Sequence, residues 1–182
     1  MRWIVRPSDP ECDLESVTGG KASSLVRLQR LGARVPPFLV ISAQAYREMG
    51  EGAPTGELRD ELSAMLDELN CQGGLAVRSS AIGEDAADAS FAGLYHTSLE
   101  VIGLDAVEEA VRQCWASYRN PAAAEYRREK AADSDGAMAV VLQEMIHGDW
   151  SGVCFTANPV SQALSEGLIN AAPGLGEALV AG

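Results

Sequence analysis

The chain has 182 residues, 47% of them apolar, enough for one sizeable core with room for two lobes. Lys and Arg number 14 against 26 Asp and Glu, a formal net charge of −12. Such a surface repels nucleic acid and anionic membrane, and no apolar run approaches the length of a membrane span.

The opening MRWIVRPSDPE is not a signal peptide. The four cysteines, Cys12, Cys71, Cys114 and Cys154, are widely spaced, with no C-x-x-C pair. They read as reduced, structural residues of a cytoplasmic protein, and a metal site built from them is not expected. Because the net charge would also repel a polyphosphate, any nucleotide site must be locally basic.

In chain order, Trp3-Ile4-Val5 is a short strand candidate. Thr18-Gly19-Gly20 opens a helix to about Leu31, with Leu25, Val26 and Leu28 on its buried face and Gly32 as its C-terminal cap. Pro36-Pro37 stops any helix, and Phe38-Leu39-Val40-Ile41 reads as a buried strand. Ser42 caps a short helix toward Met49. Residues 50–56 form a turn-rich linker. Thr55 then caps a helix over about 56–69, where Leu58, Leu62, Met65, Leu66 and Leu69 make an apolar stripe.

Gly73-Gly74 leads into an apolar strand, Leu75-Ala76-Val77, that ends in Arg78. Residues 97–101 are the next strand candidate, and Asp105-Ala106-Val107-Glu108 reads as a capping box. The helix it opens buries Val107, Val111, Cys114, Trp115 and Tyr118. Asn120-Pro121 starts another helix, which continues through Arg128. Residues 137–146 and 150–156, joined by a His147-Gly148-Asp149 turn, read as a β-hairpin. A last strand spans about 167–172, before the tight loop Pro173-Gly174-Leu175-Gly176. The mixture predicts an α+β fold.

The most informative stretch is LAVRSSAIGEDAADASFAGLYHT, residues 75–97. An apolar strand delivers an Arg, and a loop of small and acidic residues follows. Arg offers a planar fork of donors that fits phosphate oxygens in pairs. Ser hydroxyls and free backbone amides add neutral donors, and small residues let the backbone approach a ligand. Lys21, after two glycines in the first turn of a helix, adds a point charge where amides and the helix dipole already favour an anion. Arg78 pairing with Glu84, Asp85 or Asp88, and a solvated Lys21, are the plain structural alternatives.

Residues 75–97 resemble the nucleotide-binding domain shared by phosphoenolpyruvate synthase, pyruvate phosphate dikinase and rifampicin phosphotransferases, members of the ATP-grasp group. Three further segments match in order: GGKASSLVRLQRLGARVPPFLVIS at 19–42, VVLQEMIHGDWSGVCFTANPV at 140–160 and NAAPGLGEALVAG at 170–182. The resemblance implies an ATP-grasp N-terminal lobe over residues 1–182, with a helical part over 1–70 and a phosphate-loop and hairpin part over 71–182. It places Lys21 and Arg78 on the nucleotide phosphates, as the catalytic cations. Ser79 and Ser80 are equally plausible beside them as hydroxyls that fix the backbone, while Gly93 and Thr97 line the phosphate site. Leu94-Tyr95 stands where many relatives carry glutamines. Gln143, Glu144, Met145 and Ile146 make the adenine-binding stretch, a strand edge offering backbone polar groups beside an apolar Met.

The resemblance also implies ATP with Mg2+ as cofactors, the metal ligands lying beyond residue 182, and a partner domain that carries a phosphohistidine. Neither His96 nor His147 has the surroundings of that histidine. The chain stops inside the GLGEALV element, so it reads as part of a longer polypeptide. The implied activity is ATP-driven phosphoryl transfer to a histidine and on to pyruvate. An antibiotic phosphotransferase and a non-catalytic nucleotide-sensing module are the alternatives.

Overall fold

Four strands that recur through the first 145 residues, and a fifth at their end, assemble one antiparallel sheet. In chain order they are β1 (Ile4–Val5), β2 (Phe38–Ile41), β3 (Leu75–Ala81), β4 (Thr97–Val101) and β5 (Met138–Glu144). Their spatial order is β1-β2-β5-β3-β4. This is a computed structural model, and it describes residues 2–69, 73–83, 95–129, 136–176 and 179.

The central strands explain their own composition. β5 is flanked by β2 and β3, and every residue from Met138 to Gln143 is buried. A strand covered on both faces reads as an apolar run rather than an alternation. Around the sheet pack α1 (Glu15–Arg30), α2 (Ala43–Met49), α3 (Gly56–Leu69) and α4 (Leu104–Ser117), with α5 (Pro121–Glu129) following. Leu58 and Leu62 of α3 and Val107, Val111, Cys114 and Trp115 of α4 are all but fully buried, as their helical spacing predicts. Tyr46 of α2 meets the Trp115 ring edge-on, with ring centroids 6.0 Å apart.

Local chemistry sets the helix ends. At the end of α1 the Gly32 amide donates to Gln29 and the Ala33 amide to Leu28, with Gly32 at φ +82°. That is the double bond of a Schellman cap, and it needs the left-handed residue that Gly supplies. Asn120 accepts the Ala122 amide at 3.0 Å, with Pro121 in the first turn of α5, as the Asn-Pro pair implies.

Five readings of the sequence change. Helix α1 begins at Glu15, not Thr18, and kinks at Gly19. Leu28 lies on its exposed side, at 46% exposure. Ser42 does not cap α2 with its side chain; its hydroxyl donates to the Arg2 carbonyl instead. No capping box forms at Asp105. The helix starts at Leu104, and both carboxylates go to Arg59 of α3, Asp105 at 3.0 Å and Glu108 at 2.6 Å. A tertiary ion pair wins over a local cap because Arg59 brings a full charge within reach of both.

The fifth change is the hairpin. β5 pairs with β2 and β3, while β6 (Trp150–Phe155) pairs with β7 (Leu168–Pro173) in a separate two-stranded ribbon. Turn residues between two apolar runs favour pairing, but β5 already has both its edges taken. The ribbon belongs to a second unit, residues 146–182, distinct from the first, 1–145.

Candidate phosphate-binding site on the first unit

Strand β3 runs through to Ala81, so Arg78 is its middle residue, not its end. This changes how the site is built. In the sheet, Arg78 stands directly opposite Thr97 of β4 and Val141 of β5. Residues opposite one another share a face, and so do residues two apart on one strand. Arg78, Thr97 and Ser80 therefore line the same face of the sheet.

The start of α1 bears on that face. The Ser80 hydroxyl donates to the Thr18 carbonyl at 2.8 Å and accepts the Ala22 amide at 3.4 Å. Between those two residues lie Gly19, Gly20 and Lys21. Gly19 sits at φ +76°, and a Cβ there would stand 2.2 Å from the Ser80 carbonyl oxygen. Only Gly can take this turn at this distance. Gly19, two residues before Lys21, thus serves a packing contact that brings the lysine turn onto the arginine strand.

Lys21 is half-buried, and its charge is felt at the Cys114 thiol, pulling down a pKa that burial pushes up to about 12. A bond from the Ser79 backbone acts there in the same sense. Arg78, also half-buried, donates through Nη1 to Gln143 Oε1 at 3.4 Å, and Gln143 Nε2 donates to the Pro36 carbonyl at 3.4 Å. Two residues expected to serve one ligand, 65 positions apart, are joined in the fold.

Other expected residues fall elsewhere. Alternation places Ser79 on the face opposite Arg78, where it is buried and its amide donates to the His96 carbonyl at 3.3 Å. The Glu144 amide donates to Pro37 at 2.9 Å and the Met145 amide to Gly74 at 3.1 Å, so both are committed within the first unit. Met145 is buried, and Ile146 opens the second unit, largely exposed. Gly93 lies outside the described residues, as do Glu84, Asp85 and Asp88. Among the described residues no group of three or more His, Cys, Asp or Glu could hold a metal ion. The described residues thus offer no such cluster for magnesium.

His96 accepts or donates through Nε2 with the Ser98 hydroxyl at 2.9 Å, and its backbone amide donates to Ser117. It stands at the start of the β4 edge, with these bonds made inside the fold. Sequence reasoning left Ser80 level with Ser79 as a backbone-fixing hydroxyl; what it missed is the contact of Ser80 with the Gly19 turn. The signal was present, since a Gly-Gly pair before a helical Lys asks for a turn with φ above zero, but its contact partner lies 58 to 62 positions away. Among the described residues no helix is long and apolar enough to cross a membrane.

Comparison with known proteins shows the family. The family model described as "Pyruvate phosphate dikinase, AMP/ATP-binding domain" matches residues 54–182. The chain is 42% identical to the prodigiosin synthesizing transferase PigC of Serratia marcescens, over 90% of this chain and 21% of that protein. It is 43% identical to the phosphoenolpyruvate synthase of Pyrococcus furiosus, over 69% of this chain and 16% of that one. It is 34% identical to the rifampicin phosphotransferase of Streptomyces sviceus, over 100% of this chain and 25% of that one. The chain thus spans a quarter or less of each of these relatives. With the matched residues covering both β3 and β5, the chain belongs to the pyruvate phosphate dikinase AMP/ATP-binding domain family.

Proposed function

We propose that the chain is the ATP-binding, ATP-grasp-type domain of a phosphoenolpyruvate synthase-like phosphotransferase. Arg78 and Lys21 grip the phosphates, with Thr97 and Gly93 beside them. Residues 143–146 meet the base, and Ser79 holds β3 in register. The observation that carries this reading is the joint between Ser80 and Gly19, which brings the lysine turn onto the face that presents Arg78 and Thr97.

Two cations and a hydroxyl on one face suit a polyphosphate better than any neutral ligand. In a chain with 12 excess negative charges, such a face is the natural place for an anion. Phosphoryl transfer asks mainly for positioning and charge neutralisation, which is what rigidly held cations supply. With the Glu144 and Met145 amides already committed, recognition of a base in this stretch rests on other groups, among them the exposed Ile146. Transfer through a phosphohistidine carrier to pyruvate, with Mg2+ and in the cytoplasm, completes the reading.

Calorimetric titration with ATP and magnesium, beside Arg78→Ala, tests it. Saturable binding that the variant weakens by at least about tenfold is expected, the loss of a charge-assisted phosphate contact. Binding that Arg78→Ala leaves unchanged would refute the assignment of Arg78, and no binding by the intact protein would refute the function.

A further inference from the structure

We propose that Ser80 is a positioning residue for the phosphate grip: it sets the turn that carries Lys21 against the strand that carries Arg78. The inference rests on the nucleotide-binding reading and deepens it. Ser80 is fully buried, so it touches no ligand and acts only through its neighbours. Its hydroxyl uses both its donor and its acceptor capacity on the lysine turn, toward the Thr18 carbonyl and from the Ala22 amide. Thr18 is itself fixed, its hydroxyl donating to the Cys12 carbonyl at 2.9 Å.

From the other side, Gly19 lacks the Cβ that would meet the Ser80 backbone. A hydroxyl bridge and a missing side chain thus serve the same contact. The requirement is physical. Two cations repel each other, so in the absence of an anion their spacing must be imposed by the scaffold. A mid-sheet Ser where an apolar residue would fill the space carries a desolvation penalty that its two bonds offset.

The test compares ATP with adenosine on the intact protein. Ser80→Ala should weaken ATP by about tenfold and adenosine by less than about twofold, because only the phosphate contacts lose their alignment. Ser42→Ala is the control. That residue is equally buried, its hydroxyl donates to Arg2, and its loss should not change the ratio of the two affinities. Amide hydrogen exchange should quicken at residues 20–22 in Ser80→Ala and stay unchanged in α3.

Equal weakening of both ligands, or no weakening, overturns the proposal, as does unchanged exchange at 20–22. If the intact protein binds neither ligand, the nucleotide reading falls and the phosphate role of Ser80 with it. The exchange result then decides the joint alone. Should Ser80→Ala fail to fold, Ser80→Cys, which keeps a weak donor, undergoes the same measurements.

Discussion

The five-stranded sheet and the β6–β7 ribbon are both antiparallel, yet β5 buries six consecutive residues while no residue of β6 or β7 is buried. Trp150, Phe155, Leu168 and Ile169 of the ribbon are apolar and exposed, and Trp115 of the first unit is wholly enclosed. The difference lies in neighbours, not composition. A strand between two partners and under helices loses water on every side, whereas a two-stranded ribbon has two edges and little core of its own. The first unit therefore carries its own stability, and it also holds Lys21, Arg78 and Thr97.

The sharpest way to break this contrast is to truncate one Trp in each unit. Trp115→Ala should destabilise the first unit by about 3–5 kcal/mol in denaturant unfolding, the cost of an emptied aromatic site. Trp150→Ala, at 68% exposure, should change stability by no more than about 0.5 kcal/mol. Trp115→Phe should fall well short of Trp115→Ala, because the Trp115 indole N–H has no hydrogen-bond partner to lose among the described residues. Similar losses from the two alanine variants would show that burial does not separate the units.

Gly19→Ala comes next. It adds a Cβ at φ +76° that would stand 2.2 Å from the Ser80 carbonyl. A left-handed residue alone costs about 1–2 kcal/mol, and the clash adds to that. Thermal unfolding should show the loss, with ATP binding weakened alongside. Gly174→Ala, also at positive φ but with open space around its Cβ position, should lose only the backbone term.

The thiols sharpen the contrast by pH. Burial raises Cys12 and Cys114 from 9.0 to about 12, so the folded state holds both protonated where the unfolded chain would release them. Their stabilisation is complete below pH 9 and is lost as pH rises toward 12. Unfolding midpoints should therefore fall across that window. At pH 8 alkylation should modify Cys154, which is exposed, and spare Cys12 and Cys114 in the folded protein. Rapid labelling of Cys114 would mean that α4 opens.

Arg59→Ala should cost less than the core and turn variants. It removes ion pairs to Asp105, which is 93% exposed, and to Glu108, which is 14% exposed. Water screens the first, so the loss should be about 0.5–1 kcal/mol, carried mostly by Glu108 and reduced by salt. A loss several times larger would make the α3–α4 contact a main support of the sheet.

Much of this was readable along the chain. The stripe Leu58, Leu62, Met65 and the face Val107, Val111, Cys114, Trp115 follow from helical period alone, because each depends on residues within a few turns. The caps at Gly32 and Asn120 are equally local. Lys21 and Arg78 stood out as cations in an acidic chain, beside glycines and serines that fit an anion.

The sequence by itself thus determined the elements, the apolar faces, the mixed α and β character and the two cations, since these rest on propensity, period and charge. Only the tertiary structure decided which strands pair. It took β5 away from β6, placed Arg78 in mid-strand opposite Thr97, and drew Arg59 to the carboxylates of an expected cap. It also joined Ser80 to Gly19 across about sixty residues. Pairing and long-range polar contacts depend on which partner arrives, and neither period nor propensity carries that information.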